Sequence, residues 1–331
     1  MHTHSTPMTT SSSSSTAAAA GGREESSSSS GSSSSSSRQP APVSRASALV
    51  CIDRRLTRIR RSADMPSLFA RHSSGIDWCE GNYRHSNSIA EFYNTVSNVA
   101  FFLLPPLMHY LFAPYGRQRG PAVHAVWLLM MVVGACSIYF HWTLSYVGQL
   151  LDELSILWVL ATAYVLWFPK RLFPTVLNRN RFHFGVLVFV GALACSVLSF
   201  LRPTINAYAL NSIALQIIYV MVTEMKRCAN RDVLRLSLML VVLWSLAIAC
   251  WISDRFQCSF WQGLGFPYLH SIWHVMIAIS STYCCVLFSY FEAVTEVPHL
   301  KPRVCYWPKR SWEFGVPYIA LEAGQANGKS C

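Results

Sequence analysis

The chain has 331 residues, 52% of them hydrophobic and 13% charged, with a formal net charge of +11. Apolar residues gather into long runs beyond residue 91, which excludes an ordinary soluble domain. The basic excess beyond residue 100 lies in short loops between those runs, so it reads as a topology signal and not as a nucleic-acid surface.

Residues 1–65 read as a disordered arm, because serine dominates it and almost no aromatic side chain is available to bury. The basic run RRLTRIRR at 54–61 reads as solvated charge, with anionic lipid or targeting as the other reading. Met65 offers a second translation start that would discard the arm. Residues 66–91 form a polar segment, residues 92–292 a transmembrane domain and residues 293–331 a tail. Within the domain, seven apolar spans are expected at 92–113, 122–142, 144–168, 184–202, 206–224, 234–253 and 268–291, each near the ~20 residues that a bilayer requires. The fold class is therefore all-α integral membrane, with seven transmembrane helices. Cysteines such as Cys136, Cys250 and Cys284 sit inside these runs as small core residues.

Loop charge sets the expected orientation. Arg117 and Arg119, then Lys170, Arg171, Arg179 and Arg181, then Lys226, Arg227 and Arg231 occupy alternate connections, and the tail adds Lys301, Arg303, Lys309 and Arg310. The other connections hold only Arg202 and Arg255. The positive-inside rule puts the tail in the cytoplasm and the N-terminal segment in the lumen. In this order the ends of spans 2 and 6, the starts of spans 3 and 7 and the segment near Asp77 all reach the luminal face.

That face collects the polar residues that apolar surroundings would otherwise penalise by several kcal/mol. Ser137 and His141 end the second span, Asp152 begins the third, and His270 and His274, four residues apart on one helix face, begin the seventh. Zinc in hydrolytic sites takes three protein ligands and leaves one position for water. His141, His270 and His274 match that count, with Asp152 placed as general base and Ser137 as a donor to the water or to a developing oxyanion. Glu153 points about 100° away from Asp152 and reads as a structural partner. Asp77, Glu80, Asn82 and Glu91 with the Trp78 carbonyl could hold calcium, which takes six to eight oxygens; a polar cap on the first helix is the alternative reading.

Five blocks in order then resemble the alkaline ceramidases, integral-membrane amidases in a superfamily that includes the adiponectin and progestin receptors. The blocks are DWCEGNY at 77–83, IAEFYNTVSN at 89–98, GACSIYFHWTLSYVGQLLDEL at 134–154, WISDRFQC at 251–258 and YLHSIWH at 268–274. The resemblance implies a seven-helix hydrolase with zinc on His141, His270 and His274, catalytic roles for Ser137 and Asp152, and calcium on Asp77, Trp78, Glu80, Asn82 and Glu91. It also implies a disulfide between Cys79 and Cys258. Its expected activity is cleavage of ceramide to sphingosine and a free fatty acid, with membrane lipid around it, no nucleic acid and no obligate protein partner. FPYLHSIWH and the long WPKRSWEFGVPYIAL tail resemble the Golgi-resident branch, with the endoplasmic reticulum as the alternative compartment. Trp142 departs from the family's small residue after the first zinc histidine and is expected to add bulk beside the metal and reshape the acyl path. The competing function is a zinc-containing receptor of the same superfamily; a G-protein-coupled receptor is disfavoured because DRY and NPxxY are missing from the expected spans.

Overall fold

The computed structural model describes residues 67–177, 180–228, 230–309 and 315–322. The expected disordered arm, its basic run and the Met65 start lie outside the described residues. The helices are α1 (Phe92–Ser97), α2 (Ala100–Leu111), α3 (Ala113–Arg119), α4 (Ala122–Thr143), α5 (Tyr146–Trp167), α6 (Arg181–Leu201), α7 (Thr204–Met225), α8 (Arg231–Phe256), α9 (Cys258–Gly263) and α10 (Leu269–Glu296). A two-stranded antiparallel hairpin follows, β1 (Arg303–Trp307) on β2 (Val316–Ala320), with Cys305 opposite Tyr318.

Six of these helices, α4 to α8 and α10, are long and apolar enough to cross a membrane. The count reaches seven if the first apolar run is one span, and that run is broken: its axis bends by 63° where α3 begins. Pro114 in the first turn of α3 explains the break, since it has no N–H to continue the preceding helix's hydrogen bonds and fits the first turn of a new one. The expected span at 92–113 is therefore several pieces and not one straight helix. Helical geometry satisfies every backbone group within each segment, as an apolar solvent demands. The outer helices keep large apolar side chains exposed, among them Leu193, Val197, Phe200, Tyr208, Leu215 and Tyr219, which suits a lipid-facing surface.

At the centre stands α10. Ala278, Val286, Leu287 and Ala293 are fully buried along it, in one core with Met108, Phe112, Trp127 and Leu236. The hairpin closes one end of this core through Ile319, which is also fully buried.

The α4–α5 turn sets the geometry at the other end. Leu144 takes a left-handed conformation at φ 49°, and Ser145 caps α5 by accepting from the Gly148 amide at 3.1 Å. A Cβ on Gly148 would stand 2.8 Å from Ser145 Oγ and 3.0 Å from Phe140 Cα, so the turn requires glycine there. Residues 67–91 fold over the end of α4. The amides of Glu91, Ala90, His72 and Ser74 donate to the carbonyls of His141, Trp142, Thr143 and Leu144 at 3.0 to 3.2 Å. These are the carbonyls that a helix C-terminus leaves without internal partners.

Candidate active site

Three buried histidines meet beneath that lid. One ring nitrogen from each of His141 on α4 and His270 and His274 on α10 lies within 4.8 Å of the others. Their spacing on α10 follows from helical periodicity, which puts residues four apart on one face. Each ring is held from outside. His141 Nδ1 lies 2.5 Å from Glu91 Oε2, His274 Nδ1 lies 2.8 Å from Ser97 Oγ, and the His270 ring stacks on Trp78 at 3.7 Å between centroids. The hydrogen bonds on His141 and His274 fix the tautomer and leave the other nitrogen as a lone pair, while the stack fixes the plane of the His270 ring.

These residues fit a metal ion. His141 Nε2 and His270 Nδ1 are buried and lack any hydrogen-bond partner, an arrangement that costs about 1–3 kcal/mol per group unless something takes the lone pairs. His274 Nε2 has only the Ser137 hydroxyl nearby, at 3.4 Å. Three converging nitrogen acceptors suit a cation of the zinc class better than a water, which would have to donate to all of them.

Ser137 and Asp152 stand beside the histidines on the wall of a cavity of about 370 Å³. The Ser137 hydroxyl interacts with the Asp152 carboxyl and faces His274, so serine sits between carboxylate and imidazole. The remaining wall is almost wholly apolar. Glu153 turns away from the cavity and accepts from Gln149 Nε2 at 2.8 Å, as its helical phase predicts. Trp142 does not shape this space. It is 42% exposed and absent from the cavity wall, because the helical phase that turns His141 inward turns its neighbour outward. The expectation that it reshapes the acyl path is thereby corrected.

The proposed calcium residues are only partly brought together. Asn82 Nδ2 donates to both Asp77 oxygens at 3.1 and 3.2 Å, while Asn82 Oδ1 is buried without a partner. Glu91 lies near Asp77 and accepts from the Trp78 amide at 3.0 Å and from Asn94 Nδ2 at 3.0 Å. Burial pushes the Glu91 carboxyl up, against the lowering effect of those two bonds. Glu80 instead caps α1, accepting from the Tyr93 and Asn94 amides at 2.7 and 2.8 Å, and burial raises its carboxyl above the ordinary range too. Cys79 and Cys258 are joined as a disulfide with their Cα atoms 5.2 Å apart.

The Ceramidase family model matches residues 70–320. The chain belongs to the ceramidase family. It is 48% identical to human alkaline ceramidase 1 over 267 residues, which is 81% of this chain and all of that protein. Alkaline ceramidase of Drosophila melanogaster is 45% identical over 249 residues, 75% of this chain and 88% of that one. Mouse alkaline ceramidase 3 is 27% identical over 272 residues, 79% and 97% of the two chains.

Sequence reasoning passed over Ser97, Asn94 and Asp254. Ser97 and Asn94 were legible in principle, since Glu91, Asn94 and Ser97 recur every third residue and so share a helix face. Asp254 had no such signal. It is fully buried, and its two oxygens accept from the amides of Cys79 at 3.0 Å and His270 at 3.2 Å, tying the lid to the start of α10.

Proposed function

We propose that this chain is a zinc-dependent amidohydrolase that cleaves ceramide to sphingosine and a free fatty acid. The observation that carries the reading is the set of three buried histidines, of which His141 and His270 each keep a buried nitrogen without a partner and His274 borders the head of a long apolar cavity beside a carboxylate and a hydroxyl. Such a cavity suits a lipid with one polar bond to be cut near its end. Family membership and the names of the relatives supply the substrate class.

His141, His270 and His274 would hold the zinc. When bound, zinc polarises the amide carbonyl and makes a water nucleophilic near neutral pH. Asp152 takes the proton of the attacking water and returns it to the leaving amine nitrogen. Ser137, between Asp152 and His274, donates to the oxygen that gains charge as the amide carbon becomes tetrahedral. The cavity wall holds one hydrocarbon chain out of water while the amide meets these groups. The placement of Asp152 and Ser137 on that wall favours hydrolysis over a receptor that keeps zinc only as a brace.

Calcium is the proposed second ion, on Asp77, the Trp78 carbonyl, Asn82 and Glu91, with Glu80 helping from its capping position. The buried, unpartnered Asn82 Oδ1 supports this assignment. From there it would stiffen the lid that stacks Trp78 on His270. We place the protein in the Golgi membrane with the lid in the lumen and the hairpin in the cytoplasm, supported by the tail resemblance and by the loop charges. The lumen is also where a disulfide between Cys79 and Cys258 would persist.

The test is ceramide hydrolysis by the detergent-purified full chain, with zinc content measured on the same sample. Turnover that falls about a thousandfold or more in His270→Ala, together with loss of zinc, is the expected result. Zinc retained by the wild type without any turnover of ceramide, with calcium present, would overturn the hydrolase in favour of the receptor.

A further inference from the structure

The same cavity has a second end, bordered by large aromatic side chains. Asp152 and Ser137 border it at the head, and Trp167 and Phe168 border it at the bottom. From Asp152 to Phe168, at about 1.5 Å per residue along α5, is about 24 Å. From His274 to Phe288 on α10, which also border the cavity, is about 21 Å.

Trp167 is buried, 3% exposed, and borders Tyr115 on its far side. Tyr115 donates to Glu292 Oε2 at 2.7 Å, and Arg119 pairs with the other Glu292 oxygen. Phe168 stacks on Phe184 at 5.2 Å and on Phe173 at 5.9 Å, with Phe184 and Phe173 themselves stacked at 4.4 Å. The bottom is therefore doubly stopped. Aromatic rings block it sterically, and behind them lies a buried ionic cluster that an alkyl chain could enter only by stripping those charges of their partners.

We infer that Trp167, seated on the Tyr115–Glu292–Arg119 cluster and flanked by Phe168, sets the upper limit on the length of the substrate's acyl chain. This rests on the ceramidase reading above. An extended polypeptide advances about 3.3–3.6 Å over three backbone bonds, about 1.2 Å per bond, and an alkyl chain has similar tetrahedral geometry. A depth of about 21–24 Å therefore holds about 18 to 20 carbons below the scissile carbonyl. Ceramides with long acyl chains fit, and those with very long chains do not. Ala163 lies on the same wall above Trp167, where a larger side chain would raise the floor.

The experiment measures kcat/KM of the full-length, detergent-purified protein for N-acyl sphingosines graded from medium to very long acyl chains. Wild type should lose about tenfold or more once the chain exceeds about 20 carbons. Trp167→Ala should recover most of that loss, raising the ratio of kcat/KM for very long over long chains about tenfold. Ala163→Phe should shift the limit the other way, losing about tenfold on long chains and sparing medium ones. Because the two variants move the limit in opposite directions, a folding failure in either leaves the other decisive. A profile flat across chain length in wild type and in the folded variants would overturn the ruler and leave the ceramidase reading standing. That result would mean that long chains leave sideways past Ile218 and Val241, which border the cavity at 38% and 41% exposure. Absence of turnover for every ceramide in wild type would instead sink the ceramidase reading, and the ruler with it.

Discussion

At the histidine end of the bundle, buried groups of one kind face each other: inner nitrogens of His141 and His270 converge with no donor to receive. At the opposite end groups of opposite kind face each other around the buried Glu292 and Tyr115, since the part-exposed Arg119 pairs with Glu292, the more exposed Lys170 meets Glu296 at 2.8 Å and Tyr115 donates to Glu292. The second arrangement is complete in itself and has the character of a structural clasp. The first leaves two nitrogens with no donor among the described residues. The difference separates a site from a brace: like-signed polar atoms gathered in an apolar interior imply a ligand, whereas opposite ones imply only that burial has been compensated.

Substitutions at the two ends should therefore separate activity from stability. The largest effect is expected from Asp152→Asn, which should lower kcat by about 10²–10⁴ while zinc content and thermal unfolding stay near wild type. Full turnover in that variant would remove Asp152 from the proton transfer. Next, Glu292→Gln at the clasp should cost about 1–2 kcal/mol of stability by weakening the Arg119 pair, which keeps Glu296 at 3.7 Å, read as a lower unfolding midpoint in detergent with zinc content unchanged. An unchanged midpoint would mean that the clasp is solvated and carries little of the fold.

A subtler test concerns the ring supports. Ser97→Ala should weaken zinc binding about tenfold in a chelator competition, because His274 Nδ1 loses its partner, and Ser97→Thr should restore it. Equal zinc affinity in the alanine and threonine variants would show that packing alone orients His274. The smallest effect belongs to the hairpin's edge. Arg303 meets Glu322 at 2.7 Å, but both side chains are well exposed, so Arg303→Ala should change stability by less than about 0.5 kcal/mol. A larger loss would make the hairpin a part of the core and not its cover.

Much of this architecture is written locally. The spans are legible because a run of ~20 apolar residues has few alternatives to a membrane helix. The histidine pair on α10 is legible because residues four apart share a helix face whatever surrounds them. Loop connectivity then brings His141, Asp152 and the polar segment to the same end without any knowledge of packing.

Other features depend on how each helix is rotated and which neighbour it meets, and no local pattern contains that. Trp142 points outward, Glu80 caps α1, and the first span breaks at Pro114. Asp254 reaches across from α8 to hold two amides far apart in sequence. The depth of the cavity belongs to the same class. Composition determined that this chain would enclose apolar space within a membrane, but the packing that brings Trp167 beside Tyr115 decided which side chains border its far end. Side-chain spacing along one helix is fixed by the backbone's own period, whereas the contacts between helices are fixed only when all of them have packed.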